Sequence, residues 1–225
     1  MNLFHVLVEQ IMIPFLKFSY SVIPNYGVAI LMLTLLVKLL FIPLTQKQFK
    51  AMLVNQKIQP LIKDIQEKYK GQPEKLQKEM MRVWKENNAN PFGGCLPALI
   101  QLPVFFAIFY TIKSPLFQAL IAQPGVNPGL FPVGTIPFFP QFAWIPSLGI
   151  PDHTFILPVL IAASTYWSQK LFITDPKQAA LFIFMPVVMF FVSIKMPAGV
   201  LLYWAASQLL STAHQLWVMK TNTES

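Results

Sequence analysis

The sequence predicts an all-α integral membrane protein with five transmembrane helices. Of its 225 residues, 55% are hydrophobic and only 12% are charged, too few charges to cover the surface of a soluble domain. The charges are also concentrated, because residues 45–91 contain ten basic and five acidic side chains and so carry +5 of the chain's net +8. Elsewhere, five apolar runs approach the roughly 17–25 residues with which a helix crosses a bilayer.

The first 25 residues predict an amphipathic helix that lies in the membrane interface. Spacings of four and three residues place its apolar side chains on one helical face: Phe4, Val8, Ile11, Phe15, Phe18 and Val22. Glu9 and Lys17 fall on the opposite side, and Pro14 predicts a bend. The alternative is a sixth transmembrane helix, which would have to bury both charged side chains.

The apolar runs define spans at residues 26–45, 94–113, 154–172, 179–194 and 197–219, with a loop at 173–178 and a tail at 220–225. Pro103, Pro158 and Pro186 lie inside three of these runs, where neighbouring helices can satisfy the freed carbonyl groups. Of the 17 basic residues, 13 fall in the first and third connections and the tail. The positive-inside rule therefore places these segments and the C-terminus in the cytosol, and the N-terminus outside.

The charged segment 46–90 predicts a cytosolic hairpin of two helices. Apolar residues recur at helical spacing on both sides of Gly71-Gln72-Pro73, which supplies a helix end and then a proline suited to a first helical turn. Pro60 predicts a bend in the first helix. The charges of the hairpin form a solvated face, or their positive surplus attracts anionic lipid headgroups or ribosomal RNA.

The predicted outer loop, residues 114–153, has a different composition. It contains eight prolines in 40 residues and several apolar pieces, so it predicts no long helix. We expect it to rest on the outer headgroup region.

One cation lies inside an apolar span. Lys38 occurs in the run LTLLVKLLFIPLT at residues 33–45, which contains no acidic residue to pair with it. A lysine at the bilayer centre costs about 2.5–3.5 kcal/mol on insertion scales, so we expect water or polar neighbours around it. The alternative is snorkelling, because the cytosolic end of the span is about seven residues, or roughly 10 Å, away.

The sequence contains none of the enzyme motifs that we considered. None of the three histidines lies in the H-E-x-x-H spacing of a zinc protease, and there is no G-x-S-x-G or G-x-x-x-x-G-K-[ST] run. The single cysteine, Cys95, excludes an intrachain disulfide. We therefore predict no enzyme activity, no cofactor and no bound metal. A secondary transporter with Lys38 as counter-ion stays an alternative, although five spans do not divide into the internal repeats typical of such folds.

Several stretches of the chain together carry a family resemblance. They are GVAILMLTLLVKLLFIPLTQKQ at 27–48, QPLIKDIQEKYKGQPEKLQKEMM at 59–81, NPFGGCLPALIQLPVFFAIF at 90–109, TDPKQAALFIFMPVVMFF at 174–191 and PAGVLLYWAASQLLSTAHQ at 197–215. In order and spacing they resemble the YidC family of membrane protein insertases, which has bacterial, mitochondrial and thylakoid members.

The resemblance implies a fold and a site. Family members enclose a hydrophilic groove between five helices, open to the cytosol and to lipid and closed on the outer side. Their one basic residue on the first span is arginine in most bacterial members, and Lys38 occupies the matching position here. The charge is therefore kept, but the compact ammonium group of lysine replaces a guanidinium group that can donate two parallel hydrogen bonds to one carboxylate. The candidate groove residues are Lys38, Gln101, Gln169, Trp204 and Gln208. The alternative for the glutamines is ordinary hydrogen bonding between helices, and for Trp204 it is packing.

The resemblance also implies an activity. A polar, often acidic, leading segment of a client would pass through the groove, and the hydrophobic segment behind it would move sideways into lipid. The implied partners are nascent membrane proteins, anionic lipids, the ribosome and the Sec translocon, but no DNA. The implied location is the bacterial plasma membrane, with organellar membranes as the alternative.

Overall fold

The computed structural model describes residues 6–89, 96–122, 144–145, 147–170 and 176–223. Its regular elements are a π-helical segment at Leu7–Met12 and the helices α1 (Ile13–Val22), α2 (Tyr26–Lys68), α3 (Pro73–Glu86), α4 (Leu96–Lys113), α5 (Pro115–Ile121), α6 (Ile156–Lys170), α7 (Pro176–Ser193) and α8 (Ala198–Thr223). This agrees with the predicted all-helical class. The predictions for Phe4, Cys95, most of the outer loop and part of the loop at 173–178 lie outside the described residues.

Among the described helices, only α2 is by itself both long and apolar enough to cross a membrane. The stretch Gln101–Lys113 of α4 meets the same criterion together with α5, from which it is bent by 58°, and Phe184–Ser193 of α7 is a shorter apolar stretch. The number of five spans therefore stays a prediction.

The N-terminal helix has two apolar faces, where the sequence predicted one. Ile11, Phe18 and Val22 of the predicted face are exposed, as a lipid-facing side requires, but Val8 of the same face is buried and Phe15 packs against the core. A second face carries Met12 and Leu16, which are buried in the core of the bundle. The helix is therefore attached to the rest of the protein as well as being able to contact lipid.

Helix α2 runs through the predicted boundary between the first span and the hairpin. It contains 43 residues, with Pro43 and Pro60 inside it, and its start is capped by the side chain of Asn25, which accepts a hydrogen bond from the Val28 N–H. At 1.5 Å per residue it is about 64 Å long, against roughly 30 Å of hydrocarbon. The first span and the first hairpin helix are thus one continuous helix.

The second hairpin helix, α3, contacts α2. Between them Gly71 has a φ of +90°, in the left-handed region that glycine adopts without a steric penalty. Pro73 opens α3, as the sequence predicted. Ile58 and Ile62 of the first hairpin helix are buried, whereas Leu61 between them is 47% exposed.

The bundle is closely packed at one end, which we call the packed end. It consists of the first turns of α2, α6 and α8, the last turns of α4, and residues 145 and 147–152, and it contains most of the buried apolar core. Gly199 shows how close the packing is, since a Cβ there would lie 3.1 Å from Ile112 Cδ1, 3.1 Å from the Leu148 carbonyl oxygen and 3.3 Å from Ile30 Cδ1. Any larger residue at this position would push these elements apart.

The described part of the predicted outer loop is built into the packed end. Ile145 and Leu148 are almost fully buried. The N–H groups of Ala198 and Gly199 donate to the carbonyl groups of Ile150 and Leu148 at 2.7 and 2.9 Å. This part of the loop therefore covers the start of α8, whereas we expected it to rest on headgroups.

Beyond the packed end few of the side chains whose burial the structure describes are buried between helices, and we call this part the loose half. On α2 no side chain is buried between Thr34 and Gln48, and on α8 none is buried between Ser207 and Gln215. Helix α8 contacts α2, α4 and α6, and α7 packs on α6.

The predicted position of Pro158 inside the third span is wrong. Pro158 is the third residue of α6, in the first turn, where its missing N–H costs no helical hydrogen bond. By contrast, Pro103 and Pro186 do lie inside α4 and α7.

Candidate functional site

Lys38 lies on α2 just beyond the packed end, and its side chain is directed to α8. Its Nζ donates a hydrogen bond to Ser211 Oγ at 2.8 Å, and the lysine is half-buried. The ammonium is thus held sideways between two helices, whereas a snorkelling lysine extends along its own helix to the headgroups. Within the described residues Lys38 forms no ion pair with a carboxylate.

Gln101 of α4 forms a hydrogen bond with α8. Its Nε2 donates to the hydroxyl of Tyr203, which is almost fully buried and also hydrogen-bonded to Ser207. An interhelical hydrogen bond of this kind is the alternative to a groove role that was predicted for the glutamines.

Trp204 and Gln208 follow each other on one face of α8. Trp204 is half-buried and meets Phe105 of α4 edge to face, with 5.4 Å between the ring centroids. Gln208 is half-buried one turn later, and Ser211 follows three residues after it, so the three residues share a face. Trp204 therefore packs against α4 and lies on the same side of α8 as Gln208 and Ser211.

Gln169 lies in the last turn of α6, towards the far end of the loose half. Its Oε1 is buried without a hydrogen-bond partner in the described part of the chain. The preceding residue, Ser168, donates to Gln215 Oε1 at 3.0 Å. On α8 Gln215 comes one turn after Ser211, which places Gln169 within about a turn of the Lys38 level.

The hydrogen bonds between helices form a pattern that the sequence analysis missed. Polar residues recur every four positions along α8, and we call them the polar stripe: Tyr203, Ser207, Ser211 and Gln215. Four residues advance a helix by about 400°, so the stripe turns by about 40° per step, and three of its four members reach a different neighbouring helix. Its members bond to Gln101 on α4, Lys38 on α2 and Ser168 on α6. The four-residue spacing was visible in the sequence, but the partner helices were not.

The described residues hold no group of three or more His, Cys, Asp or Glu side chains that could bind a metal ion. What the site offers is a cation, hydroxyl groups and amides between helices that are closely packed at one end only. Such an arrangement can bind a polar or anionic group by hydrogen bonds.

The described residues define an all-helical protein with an apolar helix long enough to cross a membrane and a cation, Lys38, between its helices that forms no ion pair in the described part of the chain. The family model described as 60Kd inner membrane protein matches residues 18–225. The chain belongs to this family, the YidC family of the predicted resemblance.

Similar curated proteins carry the name Membrane protein insertase YidC. That of Nitratidesulfovibrio vulgaris (strain DP4) is 37% identical over 211 residues, which cover 93% of this chain and 38% of that protein. That of Wolinella succinogenes is 40% identical over 209 residues, covering 92% and 36%. That of Helicobacter pylori (strain 26695) is 38% identical over 208 residues, covering 91% and 35%. The chain thus spans less than two-fifths of the length of these relatives.

A solved structure is also similar. The crystal structure described as active YidC insertase with the first transmembrane domain resolved has a TM-score of 0.71 and 26% sequence identity, and the match covers 95% of this chain and 46% of that chain. Neither it nor the relatives named above is described as a transporter, so the transporter alternative gains no support.

Proposed function

We propose that this chain is a membrane protein insertase, which moves the polar leading segments of nascent membrane proteins part of the way across the bilayer and releases their hydrophobic segments into lipid. The observation that carries the proposal is the placement of Lys38. Its ammonium lies between helices, at the border between the packed end and the loose half, with a hydroxyl as its partner. A protein that needed Lys38 only for stability would gain from a carboxylate partner or from an apolar residue.

The loose half would form the groove. In this proposal five helices span the membrane, the packed end faces outward, and the loose half opens to the cytosol and to lipid. The exposed apolar side chains of α2 beyond Thr34, such as Leu39 and Leu40, would face lipid. A client would enter from the cytosol and leave sideways, because the packed end blocks the way straight through.

Each candidate residue has a separate role in the groove. Lys38 attracts an acidic side chain in the client's leading segment. Gln208 and Gln169 offer amide groups above and below that level. Trp204 supplies an apolar wall, and Gln101 with Tyr203 limits the groove towards α4.

Burial of the client's hydrophobic segment would supply the driving force. Leucine, isoleucine, phenylalanine and valine each gain about 0.3–0.6 kcal/mol at the centre of a spanning helix. The protein lowers the barrier for the polar segment, which otherwise crosses hydrocarbon without hydrogen-bond partners. A nucleotide is not required for this mechanism.

The proposed partners are nascent membrane proteins and anionic lipids, with the ribosome and the Sec translocon as further partners on the cytosolic side. The hairpin of α2 and α3 would contact the anionic lipids, the ribosome and the translocon, because it carries most of the net positive charge of the chain. The family name and the bacterial relatives support a bacterial inner membrane as the location.

Photo-crosslinking to a stalled nascent chain tests site and activity together. A photoreactive amino acid at position 38 or 204 should crosslink to the client. One at position 191 should not, because Phe191 lies on α7, which contributes no residue to the proposed groove, and its side chain is 64% exposed and would face lipid. The same preparation, reconstituted in vesicles, should insert the released client. Crosslinks of equal yield from all three positions, or vesicles that insert no client, would rule out the proposed groove or the proposed activity, respectively.

A further inference from the structure

The hydrogen bond between Lys38 and Ser211 leaves the hydroxyl proton of Ser211 available. An ammonium group can only donate, so Ser211 Oγ is the acceptor of the 2.8 Å bond. Within the described residues the Ser211 hydroxyl itself donates to no group. The neighbouring Thr212 behaves differently, since its hydroxyl donates to the Gln208 carbonyl at 3.0 Å, one turn back.

The hydroxyls of other threonines in the spans are engaged in the same way as that of Thr212. Thr34 donates to Ile30 at 2.7 Å, and Thr111 donates to Ala107 at 2.7 Å. A helical serine or threonine commonly satisfies its proton on the carbonyl four residues back. Ser211 differs from these threonines, because its oxygen accepts from Lys38 and its proton has no acceptor among the described residues.

We propose that Ser211 is the second donor of a carboxylate-binding site whose first donor is Lys38. The inference rests on the proposed insertase function and adds the group that gives the site its direction. Lys38 Nζ and Ser211 Oγ are 2.8 Å apart, close enough for the two oxygens of one carboxylate to accept one hydrogen bond from each. A lysine alone is a point charge, whereas a lysine with a fixed hydroxyl offers two directed donors.

Such a site discriminates a carboxylate from an amide. Aspartate and glutamate present two acceptor oxygens and a negative charge. Asparagine presents one acceptor and an NH₂ group, which would meet a donor in this site. Ser211 therefore determines specificity for acidic leading segments and is a binding residue for the client.

The test uses two clients that differ in one residue, an aspartate or an asparagine in the leading segment. Wild-type protein, Ser211→Ala and Thr212→Val are reconstituted in vesicles, and insertion rates are measured for both clients. Thr212→Val is the matched control, because it removes a hydroxyl from the same turn that is already bonded to the backbone. Ser211→Ala should insert the aspartate client about tenfold more slowly and the asparagine client less than twofold more slowly, because only the former loses a charge-assisted hydrogen bond. Thr212→Val should insert both clients at the wild-type rate.

A second measurement reports binding without insertion. Carbodiimide activates the client's aspartate, and attack by the Lys38 amine forms an isopeptide bond, which mass spectrometry can assign. Ser211→Ala should lower this coupling yield several-fold and leave the total labelling of surface lysines unchanged. Equal slowing of both clients by Ser211→Ala, or an unchanged coupling yield, would overturn the role of Ser211. Failure of the wild-type protein to insert either client would instead overturn the proposed function.

Discussion

Lys38 places a cation between two helices, with a hydroxyl as its partner in the described part of the chain. At the centre of a bilayer a lysine costs about 2.5–3.5 kcal/mol on insertion scales, and a hydrogen bond that involves a charged group is worth about 1.5–3 kcal/mol. In the proposed arrangement the bond to Ser211 would therefore offset much of that cost. The other two N–H groups of Lys38 form no hydrogen bond within the described residues, so in the proposed groove they would be available to an anionic group.

The charge of Lys38 should determine which clients the protein inserts. Lys38→Arg should keep insertion of a client with an acidic leading segment, because it keeps the cation. Lys38→Glu should slow that client at least tenfold, since like charges repel in a site of low dielectric constant, and should affect a client with a neutral segment much less. Insertion rates in vesicles measure this, and equal rates for Lys38→Glu with both clients would contradict an electrostatic role.

Asp152 is a second residue whose environment predicts a measurable effect. It is 1% exposed. One carboxylate oxygen accepts hydrogen bonds from the Thr154 N–H and hydroxyl at 3.0 and 2.5 Å, and the other accepts from the Leu157 N–H at 2.9 Å and Trp144 Nε1 at 3.4 Å. Burial acts to raise the pKa of this carboxyl, but the hydrogen bonds together outweigh it and hold the pKa below the usual value. Asp152 thus connects residues 144–152 of the packed end to the start of α6.

Asp152→Asn should destabilise the protein by roughly 2–3 kcal/mol, because an amide keeps one acceptor oxygen and turns an NH₂ group towards donors. The difference in Tm from wild type should stay constant above the unfolded-state pKa of about 3.8. It should shrink as the pH falls through the lower folded-state pKa, where the wild-type carboxylate is protonated. Thermal unfolding in detergent measures this. The exposed neighbour His153 supplies the control His153→Ala, and a matching loss of stability in that control would contradict the role of Asp152.

At the scale of elements, the continuity of α2 matters most. A helix that passes unbroken from the membrane into the hairpin fixes the rotational position of the hairpin relative to Lys38. Pro43 removes one backbone donor and Pro60 another, yet the helix continues on both sides. The first hairpin helix therefore has a fixed rotational position relative to Lys38.

Inserting alanines after Gln56 should reveal this coupling. Each added residue rotates the hairpin by about 100°, so two alanines turn it by about 200° while four return it to within about 40°. We expect insertion by the two-alanine variant to slow strongly and the four-alanine variant to keep most of the wild-type rate. Circular dichroism should show unchanged helix content in both. Rates that fell steadily with insert length, without this periodicity, would indicate that the orientation of the hairpin has no role.

At the scale of the whole molecule, the sequence predicted the helical class, the hairpin turn and the unusual lysine. Each was visible locally: the apolar runs, Gly71 two residues before Pro73, and one cation among leucines. The sequence missed what depends on neighbours. Serine is common in transmembrane helices, so nothing in the pattern of α8 distinguished Ser211 before α2 was placed beside it. Likewise, the continuity of α2 was missed because a proline indicates a helix end in one chain and a tolerated kink in another.

The second apolar face of the N-terminal helix was missed for the same reason. Met12 and Leu16 lie at helical spacing, but only the presence of the bundle makes their face a buried one. The candidate groove residues Lys38, Gln208 and Gln169 remain predictions, and for Gln101 and Trp204 the structure adds contacts with α8 and α4.

The packed end would determine where along the protein the transmembrane voltage drops. If water enters the loose half from the cytosol, the transmembrane voltage falls mainly across the thin packed end, where Gly199 keeps α2, α4 and α8 in contact. A client carboxylate bound at Lys38 then lies at the edge of a steep field, and each elementary charge carried across 100 mV gains or loses about 2.3 kcal/mol.

A voltage that is positive outside should therefore accelerate insertion of acidic clients and leave neutral ones unchanged. Potassium gradients with valinomycin impose such a voltage on vesicles, and the two clients that differ in one aspartate provide the comparison. Gly199→Val should weaken the effect, because a wider packed end admits ions and spreads the voltage drop. An aspartate client whose rate ignored the voltage would indicate that the field does not act at Lys38. The closely packed side of the bundle is thus the insulator that would make a half-open groove useful, because it lets the membrane potential act directly on the charge being moved.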